Sequence, residues 1–169
     1  MAPRWVHPAG SAGAEWQGQG TQPTVLFPGQ NDPFVDTNVW VYAVDAADPA
    51  KRERALEAVG PAPGRSLVVS TQVLTEFYAV VTRNLAVPVP AQDAQAMVAQ
   101  LSALPVVAVD ASLVAAAIAR SREWRVSIWD ALILRAAEVA GCRLVLSEDL
   151  GDGRTYGSVV VENPFAPTR

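Results

Sequence analysis

The sequence contains one cysteine, one histidine and one lysine, and these scarcities exclude several kinds of chemistry. A single cysteine, Cys142, cannot form an internal disulfide or a zinc site with several cysteine ligands. The only histidine, His7, lies in a stretch rich in glycine and proline, so nucleophilic systems that use a histidine base lack a candidate. Any chemistry must therefore come from carboxylates, hydroxyls, arginines or a bound metal ion.

Long apolar runs are also missing. No run approaches the ~20 residues of a transmembrane helix, and no continuous apolar segment follows Arg4 as it would in a secretory signal. We therefore expect a cytoplasmic protein with no membrane partner. The formal net charge of −4, from 13 basic and 17 acidic residues, argues against a strongly basic nucleic-acid-binding protein, although a local basic patch would not appear in that total.

The 169 residues, half of them hydrophobic, suit one domain with some additional chain. Residues 1–32 carry five glycines and four prolines and show no sustained hydrophobic period. We therefore predict a disordered or loosely attached N-terminal extension over residues 1–32. The regular pattern that follows predicts a domain over residues 33–166 and leaves 167–169 as a tail.

Within this domain, short apolar segments alternate with helical patterns. Strands are predicted at residues 34–36, 67–69, 105–109, 144–147 and 159–161, with helices in the intervals between the first four. Such alternation favours βαβ units. The sequence therefore predicts an α/β fold with a mostly parallel sheet of about five strands, covered on both faces.

Four acidic residues stand at matching places in this pattern. Asp36 ends the first strand, and Asp149 follows the fourth. Glu76 lies in the helix after the second strand, and Asp130 lies in the first turn of the helix that leads into the fourth. Because open α/β folds bind their ligands beside the carboxyl ends of the strands, the hypothesis is that the four carboxylates converge there.

Taken alone, each of these acids also has a structural explanation. Asp36 is a favoured helix N-cap, and Asp149 fits a turn. Glu76 lies at the edge of the buried face of its helix, where it could be solvated or paired with a base such as Arg83.

Asp130 has the strongest structural alternative, because it follows Ser127 at the spacing of a capping box. Its neighbours Ile128 and Trp129 are apolar, as are the four residues after it. We therefore expect the start of this helix to be buried against the sheet, where a lone surface acid does not fit.

If the four acids converge, electrostatics leaves few options. Carboxylates within about 4–6 Å repel one another, so some must be protonated or a cation must join them. Ligands that are all oxygen favour Mg²⁺ or Mn²⁺ over zinc. Such an ion can activate water for phosphodiester hydrolysis, so the residues indicate a metal-dependent phosphoryl hydrolase.

At this point the sequence resembles the PIN-domain nucleases, most closely the VapC-type ribonuclease toxins of VapBC toxin–antitoxin systems. The resemblance covers about residues 34–165 and is carried by the order and spacing of five short segments. These segments are Asp36-Thr37-Asn38, residues 70–77 around Glu76, Ser127-Ile128-Trp129-Asp130-Ala131, Ser147-Glu148-Asp149-Leu150, and residues 157–165.

The resemblance implies a three-layer α/β/α fold, an acidic pocket with one or two Mg²⁺ or Mn²⁺ ions, and endoribonuclease activity on tRNA, rRNA or mRNA. It also implies a cognate antitoxin and a homodimer. Carried over by motif, the catalytic and metal-binding acids would be Asp36, Glu76, Asp130 and Asp149. The polar residues that orient the phosphate or the ligands would be Thr37, Asn38 and Ser147. Many relatives have a denser acidic run after the fourth strand, so whether Asp152 assists Asp149 stays open.

RNA contact would require positive charge near the acids, and the candidates are Arg120, Arg122, Arg125 and Arg154. Solvated arginines at a helix end are an equal alternative. Phosphatases of the haloacid-dehalogenase type and phosphoacceptor receiver domains need a suitably placed lysine, and Lys51 does not meet that need. The remaining alternative is a PIN-like module that binds RNA or protein without turnover.

Overall fold

The computed structural model describes residues 32–167. Apart from Asp32, the predicted N-terminal extension lies outside the described residues, as do the last two residues of the predicted tail. The proposed boundaries of the domain therefore stay predictions.

The described residues form six helices and six strands in an alternating order. The helices are α1 Thr37–Val44, α2 Pro49–Val59, α3 Thr71–Arg83, α4 Ala91–Leu101, α5 Ala111–Trp124 and α6 Ile128–Val139. The strands are β1 Phe34–Val35, β2 Val69–Ser70, β3 Val106–Val107, β4 Leu144–Leu146, β5 Thr155–Tyr156 and β6 Val159–Glu162.

The strands form a mostly parallel arrangement, as the sequence predicts. Four of them follow the order β1-β4-β6-β5, in which only β5 runs antiparallel to its neighbour, and β2 pairs in parallel with β3. The amide of Val35 donates to the carbonyl of Val68 at 2.9 Å, and the amide of Val68 donates to the carbonyl of Pro33 at 3.0 Å. These bonds join β1 to the segment that leads into β2, so the two groups of strands continue side by side.

Helices cover this sheet in two groups. Helix α1 packs against α2 and α3, and α3 packs against α4, whereas α5 packs against α6. The core between the layers consists of fully buried side chains such as Phe34, Val69, Phe77, Leu134 and Val145. The predicted three-layer α/β/α fold is confirmed.

Helix starts are defined by capping side chains, which place polar residues directly after strands. Asp36 accepts a hydrogen bond from the amide of Thr37 at the start of α1, and Ser70 accepts one from the amide of Val73 at the start of α3. Strands β1 and β4 are parallel neighbours with Val35 opposite Leu146. The residues that follow them, including Asp36, therefore meet at one edge of the sheet.

Strand β5 is not among the five strands predicted from the sequence. It is two residues long and forms a hairpin with β6 through Gly157, whose φ of 59° favours glycine. A Cβ atom at Gly157 would also collide with the Glu138 carboxylate. Such a short strand of Thr155 and Tyr156 shows no periodic pattern, which is why the sequence did not reveal it.

Within residues 32–167, no helix is long and apolar enough to cross a membrane.

Candidate active site

A cleft of about 410 Å³ opens at the carboxyl ends of β1 and β4. The structure brings all four acids named from the sequence to this cleft, together with Thr37 and Asn38. The remaining lining residues are Val41, Tyr42, Gln72, Ala79, Val80, Trp129 and Ile133. No lysine or arginine of residues 32–167 lines it, so in this part of the chain the cleft presents four carboxylates with no basic side chain among them.

One side of the cleft, which we name the strand-end wall, consists of Asp36, Asn38, Ser147 and Asp149. The Ser147 hydroxyl lies 2.7 Å from Asp36 Oδ2 and donates to it. The amide of Asn38 donates through Nδ2 to Asp36 Oδ2 at 3.2 Å and to Asp149 Oδ2 at 3.0 Å. One amide nitrogen thus holds oxygens of two carboxylates that are 113 positions apart in the chain.

The same wall is also fixed through its backbone. Asn38 Oδ1 accepts from the amide of Glu148 at 3.3 Å, and Ser147 Oγ accepts from the amide of Asp149 at 3.2 Å. Ser147 is fully buried and Asp36 is 7% exposed. Buried, multiply bonded polar groups of this kind hold their side chains in one arrangement.

Proton binding to Asp36 reflects this burial. Burial raises the pKa of Asp36 from 3.8 to about 6, and the charges of Asp149 and Glu76 act in the same direction. Hydrogen bonds from Ser147 and from the amide of Thr37 act against the increase. The charges of Asp149 and Glu76 are therefore close enough to disfavour the ionised form of Asp36, as expected for a site that a cation would stabilise.

The opposite side, the helix wall, consists of Gln72 and Glu76 from α3 and Trp129 and Asp130 from α6. Glu76 Oε2 accepts from the Thr37 hydroxyl at 2.9 Å, and Glu76 Oε1 accepts from Gln72 Nε2 at 3.0 Å. Within residues 32–167, no ion pair involves Glu76, so the alternative of a salt bridge to Arg83 is not realised.

Asp130 lines the cleft while it also completes a capping box. Its Oδ2 accepts from the amide of Ser127 at 3.3 Å, and its own amide donates to the Ser127 hydroxyl at 3.1 Å. The expectation that this helix start is buried against the sheet is wrong, because Trp129 is 61% exposed. The buried face of α6 begins only at Ala131, since the first turn projects over the cleft.

None of the four arginines proposed for RNA contact lines the cleft. Arg120 forms an ion pair with Glu123 at 2.7 Å, and Arg125 ends α5 in a left-handed conformation with φ 56°. The guanidinium of Arg154 stacks 5.1 Å from the ring centre of Tyr156. A role for these arginines and Arg122 in RNA binding stays a prediction.

Comparison with known proteins identifies the domain that carries this cleft. Residues 34–153 match the family model of the PIN domain. The chain belongs to the PIN domain family. The resemblance to PIN-domain nucleases of the VapC type, predicted from the sequence, is confirmed at the level of family and fold.

Solved structures of toxin–antitoxin proteins share this PIN fold. A toxin–antitoxin complex from Klebsiella pneumoniae aligns with a TM-score of 0.56 at 17% identity, over 79% of this chain and 98% of that chain. FitAB bound to a DNA fragment aligns with a TM-score of 0.59 at 18% identity, over 80% and 97% of the two chains. Mycobacterium tuberculosis VapC20, described as a sarcin-ricin loop cleaving toxin, aligns with a TM-score of 0.52 at 26% identity, over 68% and 87%. No curated protein matches the sequence significantly.

Lys51, for which the sequence suggested no role, lies beside the cleft of this PIN domain. Its Nζ lies 2.5 Å from Glu148 Oε1 and 3.0 Å from the Tyr42 hydroxyl, and it lies over the rings of Tyr42 and Phe165. The hydrogen bonds to Glu148 and then Tyr42 raise the pKa of Lys51. Because Glu148 directly precedes Asp149, this contact, which we name the lysine clamp, fixes the loop that carries one of the four acids.

The donor set of the PIN cleft fits a hard cation only in part. Within the described residues, no group of three or more His, Cys, Asp or Glu side chains is arranged to hold a metal ion. Asp36 and Asp149 nevertheless present oxygens to one shared donor, and Mg²⁺ commonly binds proteins through one or two carboxylates with water and substrate phosphates. Asp152 does not line the cleft, and it accepts from the amide of Asn163 at 2.9 Å instead.

Proposed function

We propose that this PIN domain is a metal-dependent endoribonuclease and the toxin component of a toxin–antitoxin pair. The observation that carries the proposal is the arrangement of Asp36 and Asp149 about the amide of Asn38. They lie in a cleft that four carboxylates line and to which the described residues add no basic side chain. Such a cleft repels a phosphodiester unless a cation is present, and oxygen ligands select Mg²⁺ or Mn²⁺.

The residues of the two walls take different roles in this proposal. Asp36 and Asp149 would hold the ion, with Glu76 and Asp130 completing the acidic set, while Asn38 and Ser147 keep the strand-end carboxylates in position. Thr37 restrains Glu76 through its hydroxyl. When bound, Mg²⁺ or Mn²⁺ would lower the pKa of a water molecule and stabilise the negative charge of the leaving oxygen.

RNA is the proposed substrate class because VapC20, with which this chain shares 26% identity, is described as cleaving the sarcin-ricin loop. Total RNA from the host, incubated with purified protein and either Mg²⁺, Mn²⁺ or EDTA, tests the proposal. Discrete fragments that require the metal support it, and Asp36→Asn and Asp130→Asn should both remove them. Intact RNA with a folded, metal-loaded wild-type protein would contradict the proposal.

One observation favours the alternative of a PIN-like module that binds RNA or protein with little turnover. The Asp130 carboxylate is engaged with its own N-cap, and no three acidic side chains of the described residues stand in a metal-binding arrangement. Calorimetric titration with Mn²⁺ separates the two functions. If the protein is a nuclease, it should bind Mn²⁺, and Asp130→Asn should weaken that binding. If it is a binding module, Asp130→Asn should leave the affinity for Mn²⁺ unchanged and lower the stability of the protein only slightly, because it weakens the helix cap.

We further propose that a cognate antitoxin inhibits the protein by placing a cationic side chain in the cleft. The four carboxylates fit an arginine, and Val41, Ala79, Val80 and Ile133 offer apolar contacts to a helix that carries one. Several structural neighbours are toxin–antitoxin complexes. Loss of cleavage on adding the protein encoded beside this one, reversed when its arginines are replaced, would support inhibition in this way.

A homodimer in the cytoplasm is the remaining part of the proposal. Light scattering should give twice the chain mass of 17.9 kDa for the isolated protein. A mass of one chain would contradict the dimer without affecting the proposed chemistry.

A further inference from the structure

The helix wall carries two features that the proposed chemistry does not use. The indole of Trp129 is 61% exposed at the cleft, and within residues 32–167 it makes no ring–ring or cation–π contact. The side chain of Gln72 also lines the cleft but is only 9% exposed. Its Oε1 atom is buried and receives no hydrogen bond from any described residue.

The orientation of the Gln72 amide is fixed by its neighbours. Nε2 donates to Glu76 Oε1 at 3.0 Å and to the backbone carbonyl of Trp129 at 3.4 Å. Both partners are acceptors, so a reversed amide would bring three acceptor oxygens together. Among the described residues, Oε1 is therefore a buried acceptor without a donor, which is an unfavourable state that a ligand with a suitable donor would relieve.

The chemistry around Oε1 restricts what that ligand group can be. A phosphate oxygen is an ionised acceptor, so both Gln72 Oε1 and the nearby Glu76 carboxylate would repel it. A neutral hydroxyl satisfies Oε1 without adding negative charge. The ribose 2′-hydroxyl is such a donor, and it is the group that distinguishes RNA from DNA. The exposed face of Trp129 suits an unpaired base, since aromatic side chains stack on bases of single strands.

We propose that Gln72 and Trp129 form a nucleoside subsite, in which Trp129 stacks on a base of the bound strand and Gln72 Oε1 accepts a hydrogen bond from a ribose 2′-hydroxyl. Because Oε1 is buried, the proposal includes a shift of the helix wall that opens this atom to the strand. The inference rests on the proposed function, because it requires single-stranded RNA in the cleft. It assigns a separate role to each residue: Trp129 contributes affinity for any single strand, and Gln72 selects RNA over DNA.

Equilibrium binding tests the subsite apart from cleavage. The protein is the full chain with Asp36→Asn, which prevents turnover under the proposed mechanism and lowers the negative charge of the cleft. Mn²⁺ is present in excess to offset the three carboxylates that remain. The probes are labelled single-stranded oligonucleotides of one sequence, made as RNA, as 2′-fluoro RNA and as DNA with deoxyuridine in place of thymidine. The 2′-fluoro strand keeps an RNA-like sugar pucker but lacks the hydroxyl donor. RNA should bind about tenfold more tightly than the other two strands.

Two substitutions in that background separate the roles. Gln72→Met should lower RNA affinity to the level of the 2′-fluoro strand and leave the other two strands unchanged. Trp129→Ala should weaken all three by about tenfold, whereas Trp129→Phe should retain most of the affinity. Matching far-UV circular dichroism spectra and melting temperatures would show that the variants are folded.

Several results would overturn the subsite. Equal binding of RNA and 2′-fluoro RNA, or an equal loss for all three strands in Gln72→Met, would leave Gln72 only as a support for Glu76. Unchanged affinities in Trp129→Ala would show that the indole does not stack on a base, and its exposure would then fit contact with a protein partner instead. Absence of RNA binding would overturn the subsite as a whole.

The proposed nuclease activity is tested separately, by whether the wild-type protein cleaves RNA. The expected binding pattern without cleavage would keep the subsite and contradict the nuclease. Cleavage by the wild type together with unchanged binding in both variants would keep the nuclease and overturn the subsite.

Discussion

The two walls of the acidic cleft carry the same kind of residue but differ in how firmly they hold it. On the strand-end wall, Asp36 and Asp149 share a donor from Asn38, and Ser147 adds a further hydrogen bond from a fully buried hydroxyl. On the helix wall, Glu76 accepts a hydrogen bond from Gln72 of its own helix, and Asp130 accepts one from the amide of its N-cap residue Ser127. The Thr37 hydroxyl, at 2.9 Å from Glu76, links the two walls.

This difference follows from how each wall is made. The strand-end residues follow two parallel strands whose register is fixed by the buried sheet, so their positions are set before any ligand arrives. The helix-wall residues project from two helices that contribute different faces to the cleft. We infer that the strand-end wall is preorganised and that the helix wall adjusts to what is bound.

The largest expected effect is the loss of Asp36. Asp36→Asn keeps the shape of the side chain but removes the charge that the ion requires, so the metal-dependent cleavage rate should fall by more than about 100-fold. Glu76→Gln, the corresponding change on the helix wall, should cost only about tenfold. Single-turnover rates at saturating Mg²⁺ provide the measurement. Equal losses would remove the distinction between the walls.

The next effect concerns the pH dependence of stability without metal. The pKa of Asp36 is about 6 in the folded protein and 3.8 when it is unperturbed, so between these pH values the folded state binds more protons. The ionisation of Asp36 should thus lower the free energy of unfolding by up to about 3 kcal/mol as the pH rises from 4 to 7.

Urea unfolding in EDTA, compared between the wild type and Asp36→Asn, isolates this contribution from those of other acids. As the pH rises, the free energy of unfolding of the wild type should fall relative to that of Asp36→Asn. Adding Mg²⁺ at pH 7 should raise the free energy of unfolding of the wild type again. A difference that is independent of pH would contradict the raised pKa.

Removing the shared donor should have an intermediate effect. Asn38→Ala leaves the Asp36 and Asp149 carboxylates without the amide that holds both, so affinity for Mn²⁺ should fall by about 10–100-fold. The matched change on the helix wall, Gln72→Met, should alter Mn²⁺ affinity little. Isothermal titration calorimetry distinguishes the two variants, and a similar loss in both would argue that the walls bind the ion equally.

The smallest expected effect comes from the lysine clamp. Lys51→Met releases Glu148 and should reduce the cleavage rate by about threefold to tenfold, because Asp149 is then less well positioned. The ion pair is about a quarter to a third exposed, so the free energy of unfolding should fall by less than about 1 kcal/mol. Lys51→Arg should recover most of the activity. A stability loss without any change in rate would limit the clamp to a structural role.

Much of the strand-end wall could be predicted from the sequence because it depends on local patterns. A short apolar run that ends in Asp36, and another that ends before Ser147, place both residues at strand ends once the strands are taken as parallel. The capping box of Ser127 and Asp130 was likewise predicted from its spacing and is present.

The rest depends on contacts between distant segments, which local patterns do not contain. Lys51 and Glu148 are 97 positions apart, and nothing near either residue signals their contact. The apolar character of Trp129 predicted burial, yet the orientation of α6 exposes it. The orientation of the Gln72 amide, and with it the buried Oε1, depends on a contact with the Trp129 carbonyl 57 positions away, so it could be found only from the structure.

The lysine clamp also provides a single site for an NMR label next to the loop that carries Asp149. Lys51 is the only lysine of the 169 residues, so reductive methylation with ¹³C-formaldehyde labels one side-chain amine besides the N-terminus. The resonance of that methylated amine would be sensitive to the ring currents of Tyr42 and Phe165, which lie 4.3 Å and 5.6 Å from the nitrogen. Binding of metal, RNA or antitoxin beside the loop that carries Asp149 could therefore be followed as the frequency of a single peak.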